Sequence, residues 1–401
     1  MSQRLAALQR YVLEQPRSRG KGASAVVRLV LRMGFKALLG RLFSRAQDAA
    51  ALTCDVLLVH PSRKSFLQGR KKPFIEALRQ RGLRVEEFVE ESDGEQLRQR
   101  QLARPPQPVP FLLGWPAAHA AFLLRRYQPK VVLTERNGWI VPSFIKAFSQ
   151  QRTRVMHLAH SVPTAQSSRY DYFDYDYYLM FGRSSFEYLS GLRSGFGECT
   201  ALYAGPYFLA DAAPPVETGA GERWRCLFLG SGPEYEATAD YQAMCGWVRQ
   251  WAVDNGVALA VKPHPRAAGL PWRDDPLVES IEPGVRLDDV LARFDLVLCG
   301  YTNAVLDVAR SGVPFILLGE GEDFFQTGRF ALARARSVVE LDEARRAIRA
   351  DLPGYRERLV RFLRFHIENP YQPCASLVEY VHRAVAGEEL SGVGLAAKKQ
   401  R

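Results

Sequence analysis

The chain has 401 residues, 47% hydrophobic and 24% charged, with a formal net charge of +11. These proportions exclude a disordered or fibrous polymer, and the length favours two folded domains with extensions. Ten Lys or Arg stand against Glu14 and Asp48 among the first 50 residues, a local +8 that marks a basic arm on a nearly neutral body.

In that arm Arg28, Arg32 and Lys36 recur every four residues, and Arg41 and Arg45 continue the basic side. Val27, Leu29, Val30, Leu31, Met33, Phe35, Leu38, Leu39, Leu42 and Phe43 fill the rest. The spacing predicts a basic amphipathic helix from Gly22 to Phe43. Two placements fit it equally: in the interface of an anionic membrane, or packed on the body with its basic side in water. No apolar run approaches the roughly 18 residues of a spanning helix, and a signal peptide's unbroken apolar core is absent.

From Asp55 strands alternate with helices, the pattern of a parallel doubly wound sheet. Strands are expected at Asp55–Val59, Leu83–Val89, Lys130–Thr134 and Arg154–Leu158, separated by helices at Pro73–Arg81, Ala117–Tyr127 and Pro142–Phe148. Glu135 stands just past the third strand, beside Asn137 and Gly138, and the fourth delivers His160 and Ser161. Tyr170 to Tyr178 reads as the approach to a strand over Tyr175–Met180, with its aspartates at the sheet end in solvent. Residues 211–222 have a linker's composition. The expected organisation is therefore an arm over 1–50, one α/β domain over 51–210, a second over 223–350, and a terminal helix and basic tail over 351–401.

In the second domain, strand Arg225–Leu229 runs into Gly230-Ser231-Gly232, a helix follows over Ala237–Val253, and strand Val257–Val261 ends in Lys262-Pro263-His264-Pro265-Arg266. Each proline fixes its own φ and pushes the residue before it toward extended geometry, so His264 is held in a narrow range. Lys262 and Arg266 flank it, and such a cationic loop at a strand's carboxyl end suits an anion. Strand Leu296–Cys299 leads through Tyr301-Thr302-Asn303 into a helix over Ala304–Arg310, then strand Pro314–Leu318. Thr302 is placed to cap that helix, and its first-turn amides with the Gly230–Gly232 turn offer N–H donors to a phosphate. The bland alternative is an ordinary set of surface turns. Cys54, Cys199, Cys226, Cys245, Cys299 and Cys374 lack CxxC or CxxH spacing, which predicts buried free thiols and no zinc site. A nucleic-acid-binding reading fails because the tyrosine-rich stretch carries aspartates, not bases.

Lys262-Pro263-His264-Pro265 resembles the KPHP motif of bacterial surface-polysaccharide transferases: capsule Kdo transferases, bacterial polysialyltransferases and CDP-glycerol glycerophosphotransferases. Tyr301-Thr302-Asn303 with Asp307, Gly312 and Pro314 is similar to the same enzymes' hydroxyl-rich turn, helix and GxP ending, and His160-Ser161 loosely to their HG. The resemblance covers roughly Val131 to Leu318. It implies the GT-B fold, two Rossmann-like domains facing across a cleft, with no metal or cofactor required. It further implies a nucleotide-sugar donor, CMP- or CDP-linked, in the second domain. The acceptor would be a lipid-linked saccharide at the cytoplasmic face of the inner membrane. Carried onto this sequence, His264 would contact the donor phosphate and stabilise the departing nucleotide. Lys262, Pro265, Arg266, Gly230, Ser231, Tyr301, Thr302, Asn303 and Asp307 would surround that donor. The family's acidic pair before glycine has no clean copy, which leaves Glu135 or His160 for acid–base work. The missing base also leaves room for an inactive scaffold, and a nucleotide-sugar epimerase shares the expected fold. The family's late helix often crosses back to the first domain, a role open to Tyr355–Phe365.

Overall fold

The structure, a computed structural model, describes residues 3–18, 22–44, 51–163, 170–192, 195–209, 211–212, 215, 224–264, 272, 275–282, 284–300, 302–321 and 323–397. The expected donor-site residues Pro265, Arg266 and Tyr301 lie outside them. The chain folds as two compact units, Met1–Asp211 with Ile367–Arg401, and Ala212–His366.

In chain order the strands are β1 (Val56–His60), β2 (Val85–Val89), β3 (Val131–Thr134), β4 (Arg154–Leu158), β5 (Tyr177–Met180), β6 (Glu198–Tyr203), β7 (Arg225–Leu229), β8 (Ala258–Lys262), β9 (Val278–Ser280), β10 (Leu296–Cys299), β11 (Phe315–Leu318), β12 (Arg334–Ala335) and β13 (Val393–Ala396). The first unit holds a seven-stranded sheet in the order β13-β6-β5-β4-β3-β1-β2, the second a six-stranded sheet in the order β12-β11-β10-β7-β8-β9. All pairings are parallel except β13 against β6. The inner strands β1, β3, β5, β10 and β11 are buried at every residue, which explains why they read as continuous apolar runs without alternation.

Helices cover the sheets through periodic apolar faces. Lys72–Gln80 buries Phe74, Ile75 and Leu78, starts with a proline in its first turn, and packs with Leu377, Val378 and Val381 of helix Pro373–Val385 over β1 and β3. That second helix belongs to the returning segment. Helix Leu352–His366, the one expected to cross, stays with the second unit: Tyr355 OH donates to Phe315 O at 2.5 Å, and Phe362 packs on Phe315. The return comes one helix later and ends in β13, whose antiparallel pairing no local pattern announces.

The aspartates of the tyrosine-rich stretch are not all in solvent. Asp174 is fully buried; its carboxylate takes Arg4 from helix Gln3–Ser18, Lys146 Nζ at 3.3 Å and Ser143 Oγ at 2.5 Å. Three donors from distant segments offset the desolvation that one carboxylate would otherwise suffer. Gln15 Nε2 donates to Asp171 at 2.9 Å, and the Tyr11 ring lies 5.5 Å from Phe196, so the first helix docks on this stretch. The second, Ala23–Phe43, also belongs to the first unit and is packed on it, with Lys36 paired to Asp93. No helix among the described residues is long and apolar enough to cross a membrane.

Candidate functional site

In an open parallel sheet the crevice for a ligand opens where the strand order reverses and the connections of neighbouring strands leave on opposite faces, beyond the strands' carboxyl ends. The first unit has that reversal between β1 and β3, the second between β7 and β10.

In the second unit, Gly230 follows β7, Gly300 follows β10 and His264 stands two residues beyond β8. The three turns meet closely. Gly230 donates its N–H to Lys262 O at 3.0 Å. A Cβ on Gly230 would lie 2.6 Å from His264 N and 2.7 Å from Glu236 Oε1; one on Gly300 would lie 2.8 Å from Ser231 Oγ and 3.4 Å from the Tyr235 ring. At Gly230 a side chain is barred by the backbone of the His264 loop, while at Gly300 it would crowd the side chains of Ser231 and Tyr235. Thr302 Oγ1 accepts the Ala304 N–H at 3.3 Å, ahead of the seven-residue helix Ala304–Arg310, while the exposed Asn303 side chain makes no capping bond. Asp307 is half-buried on the same helix.

The crevice holds one buried cation without a counter-ion in contact. Lys262 is 8% exposed, and its Nζ has no hydrogen-bond partner among the described residues. Burial, with nothing opposing it, lowers its pKa. Ser231 Oγ is likewise buried without a partner. An unpaired buried ammonium beside an unpaired hydroxyl is costly, and both are donors that an anion would satisfy. One donor of the glycine turn is already taken: Gly232 N–H bonds Glu236 Oε1 at 3.0 Å. His264, half-buried, completes the group.

In the first unit the reversal holds a buried ionic cluster. Glu135 Oε1 accepts Lys71 Nζ at 2.6 Å and Ser65 Oγ at 2.8 Å, Lys71 also reaches Ser65 Oγ at 3.2 Å, and Tyr207 OH donates to Glu135 Oε2 at 2.5 Å. Lys71 and Glu135 are 3% and 6% exposed. Burial alone would raise the Glu135 carboxyl, but the Lys71 ammonium and the two hydroxyl donors outweigh it and leave the pKa lowered. Lys71 goes down too, because its burial exceeds what Glu135 returns. Tyr207 shields the pair, its ring 5.3 Å from Lys71 Nζ. Glu135 is thus an ionised, fully occupied carboxylate.

His160, beyond β4, is exposed at the surface and its ring stacks near Tyr170, with centroids 6.4 Å apart and planes 13° apart. The atoms crowded around its inner side lower its pKa; Glu135 opposes this, and Arg70 and Lys71 reinforce it. A neutral imidazole open to solvent is able to take a proton. His60, at the end of β1, is buried against Glu87 Oε2 at 3.0 Å.

The structure thus holds Gly230, Ser231, Lys262, His264, Gly300 and Thr302 in one unit, and Glu135 with His160 in the other. Sequence reasoning did not single out Lys71, Ser65, Tyr207 or Glu236. Lys71 sits among Arg70 and Lys72 and looks like one of three surface cations. Only its burial under Tyr207 distinguishes it.

No protein-family model matches the chain, and no curated protein matches it. Solved structures do. One described as the glycotransferase of kitacinnamycin superposes with a TM-score of 0.50 at 16% identity, over 84% of this chain and 100% of that one. A UDP-N-acetylglucosamine 2-epimerase gives a TM-score of 0.50 at 12% identity, over 85% and 99%. The UDP-GlcNAc 2-epimerase of Neisseria meningitidis bound to UDP-GlcNAc gives 0.49 at 12% identity, over 84% and 100%. With two largely parallel, doubly wound sheets and the two neighbours at a TM-score of 0.50, the chain has the GT-B fold.

Proposed function

We propose that the protein is a glycosyltransferase that moves a sugar, or a polyol phosphate, from a CMP- or CDP-linked donor to a lipid-linked surface-polysaccharide acceptor. One observation carries the reading: a buried, unpartnered Lys262 ammonium at the carboxyl end of β8, beside His264 and two glycine turns, in a GT-B fold. As the glycosidic bond breaks, negative charge grows on the departing phosphate. Lys262 supplies a prearranged cation, and His264 and Thr302 prearranged hydrogen-bonding groups, which lowers the barrier without reorganisation. His160, neutral and accessible, takes the proton from the acceptor hydroxyl, and Glu135 keeps Lys71 in place beneath it. No step calls for a metal, so turnover should survive chelation by EDTA.

Transfer assays with CMP-, CDP- and UDP-sugars and an oligosaccharide-lipid analogue test this, with product read by mass spectrometry. Transfer from one donor, lost in His264→Ala, supports it; a well-folded protein that transfers from none of them would remove it. A second reading, a nucleotide-sugar epimerase, is favoured by the epimerase superposition at TM-score 0.50. It predicts an epimerised donor and no acceptor product in the same assay. A scaffold without activity predicts neither.

A further inference from the structure

We propose that helix Ala23–Phe43 docks the protein on an anionic phospholipid bilayer, lying in the interface without crossing it. The helix has two apolar faces. Ala37 and Gly40 are buried against the body, where a Cβ on Gly40 would lie 3.5 Å from Trp115 Cα and one on Gly114 would lie 3.5 Å from Ala37 Cβ. Small residues bring the backbones close and fix which way the helix faces. On the opposite side Val27, Leu31, Phe35, Leu38 and Leu42 follow one another at intervals of four, four, three and four residues, a single stripe. They are between 53% and 72% exposed. A soluble helix packed on its domain has no reason to present such a stripe to water.

The charges choose the occupant. The helix contains Arg28, Arg32, Lys36 and Arg41 and no acidic residue. Pairing with a second copy through the stripe would bring two such basic flanks together. A bilayer takes the apolar side chains into its acyl boundary and meets Arg28 and Arg41, the two not paired with Asp93, with anionic head groups. At the helix's end a groove of about 790 Å³, lined by Arg41, Arg104 and Phe111 among others, offers two guanidiniums at that level.

A short line of charged and polar neighbours leads from the helix's basic flank toward the first unit's site. Asp93 takes Lys36 and, at 3.7 Å, Arg32, and Arg63 lies near enough to Glu95 to help lower its carboxyl. Arg63 begins the short helix Arg63–Leu67, whose Phe66 and Leu67 are 40% and 71% exposed and whose Ser65 bonds Glu135.

Flotation of the full chain with vesicles tests the docking without any sugar donor. Wild type should float with phosphatidylcholine–phosphatidylglycerol vesicles, and less as salt rises. Leu31→Gln, Phe35→Gln and Leu42→Gln together replace side chains that touch little of the body. They should weaken vesicle partition on the order of a hundred-fold with the circular dichroism spectrum unchanged. Arg28→Gln with Arg41→Gln should weaken it only on the anionic vesicles. Equal flotation of wild type and the triple variant overturns the proposal. So does equal binding to pure phosphatidylcholine, or a wild-type dimer in sedimentation that the triple variant abolishes.

Discussion

Replacing Lys262 with methionine should make the protein more stable and functionally empty at once. The ammonium is 8% exposed and unpartnered among the described residues, so the fold carries its desolvation uncompensated. Leaving such a donor unsatisfied costs about 1–3 kcal/mol. Methionine has a similar length and no charge, so Lys262→Met should gain about 1–2 kcal/mol, seen as a Tm rise of about 2–8 °C. The sign with pH follows from the lowered pKa: the cost exists while the amine is charged and shrinks as pH rises through the folded-state value. The advantage of the variant should therefore fade in alkaline buffer. An anionic ligand should reverse the order. A nucleotide at about a hundred times its Kd adds about 2.7 kcal/mol to wild type, and Lys262→Met should gain little of this. Differential scanning fluorimetry of both proteins, with and without CMP, CDP and UDP, reads all of it. A methionine variant less stable than wild type without ligand, or one keeping the full nucleotide shift, would refute the reasoning.

The other expectations concern charge and packing. Glu135→Gln should leave Lys71 buried without its counter-ion and cost about 3–5 kcal/mol in urea unfolding. Because the Glu135 pKa is lowered, its contribution is present above the ordinary carboxylate range and lost as pH falls through the folded value, so the wild-type advantage should vanish in acid. His157 is fully buried between Tyr175 and Tyr178, and burial lowers its pKa to about 3. Stability should then fall by about 1.4 kcal/mol per unit as pH drops below about 6.5, where the unfolded ring gains its proton, and His157→Phe should flatten that slope. Gly300→Ala would set a methyl 2.8 Å from Ser231 Oγ and should cost about 1–3 kcal/mol of stability while weakening nucleotide binding. A variant as stable and as tightly bound as wild type would show that the turns do not meet closely.

Most strands of both sheets were legible because short apolar runs alternate with helical periods, and β4, β7 and β10 lie where the pattern places them, whereas β6, β9 and β12 had no expected counterpart. The loops that hold Gly230, Lys262, His264 and Thr302 were legible for the same reason, since each closes a recognisable strand. What escaped was set by partners far along the chain. Asp174 looks like a solvent residue until Arg4, 170 positions away, is brought to it. β13 is recruited by the edge of β6, and its sequence Val393-Gly394-Leu395-Ala396 carries no signal strong enough to stand alone. The basic helix was legible as amphipathic, yet its packing face is chosen by small residues, Ala37 and Gly40, that a search for large apolar positions passes over.

Isothermal titration of the full chain with CMP, CDP and UDP tests the nucleotide crevice most directly. Saturable binding of at least one of them by wild type and by Glu135→Gln, abolished in Lys262→Met and in His264→Ala, is the predicted result. Binding that survives both of those substitutions, or no binding of any nucleotide to a folded wild-type protein, would contradict it.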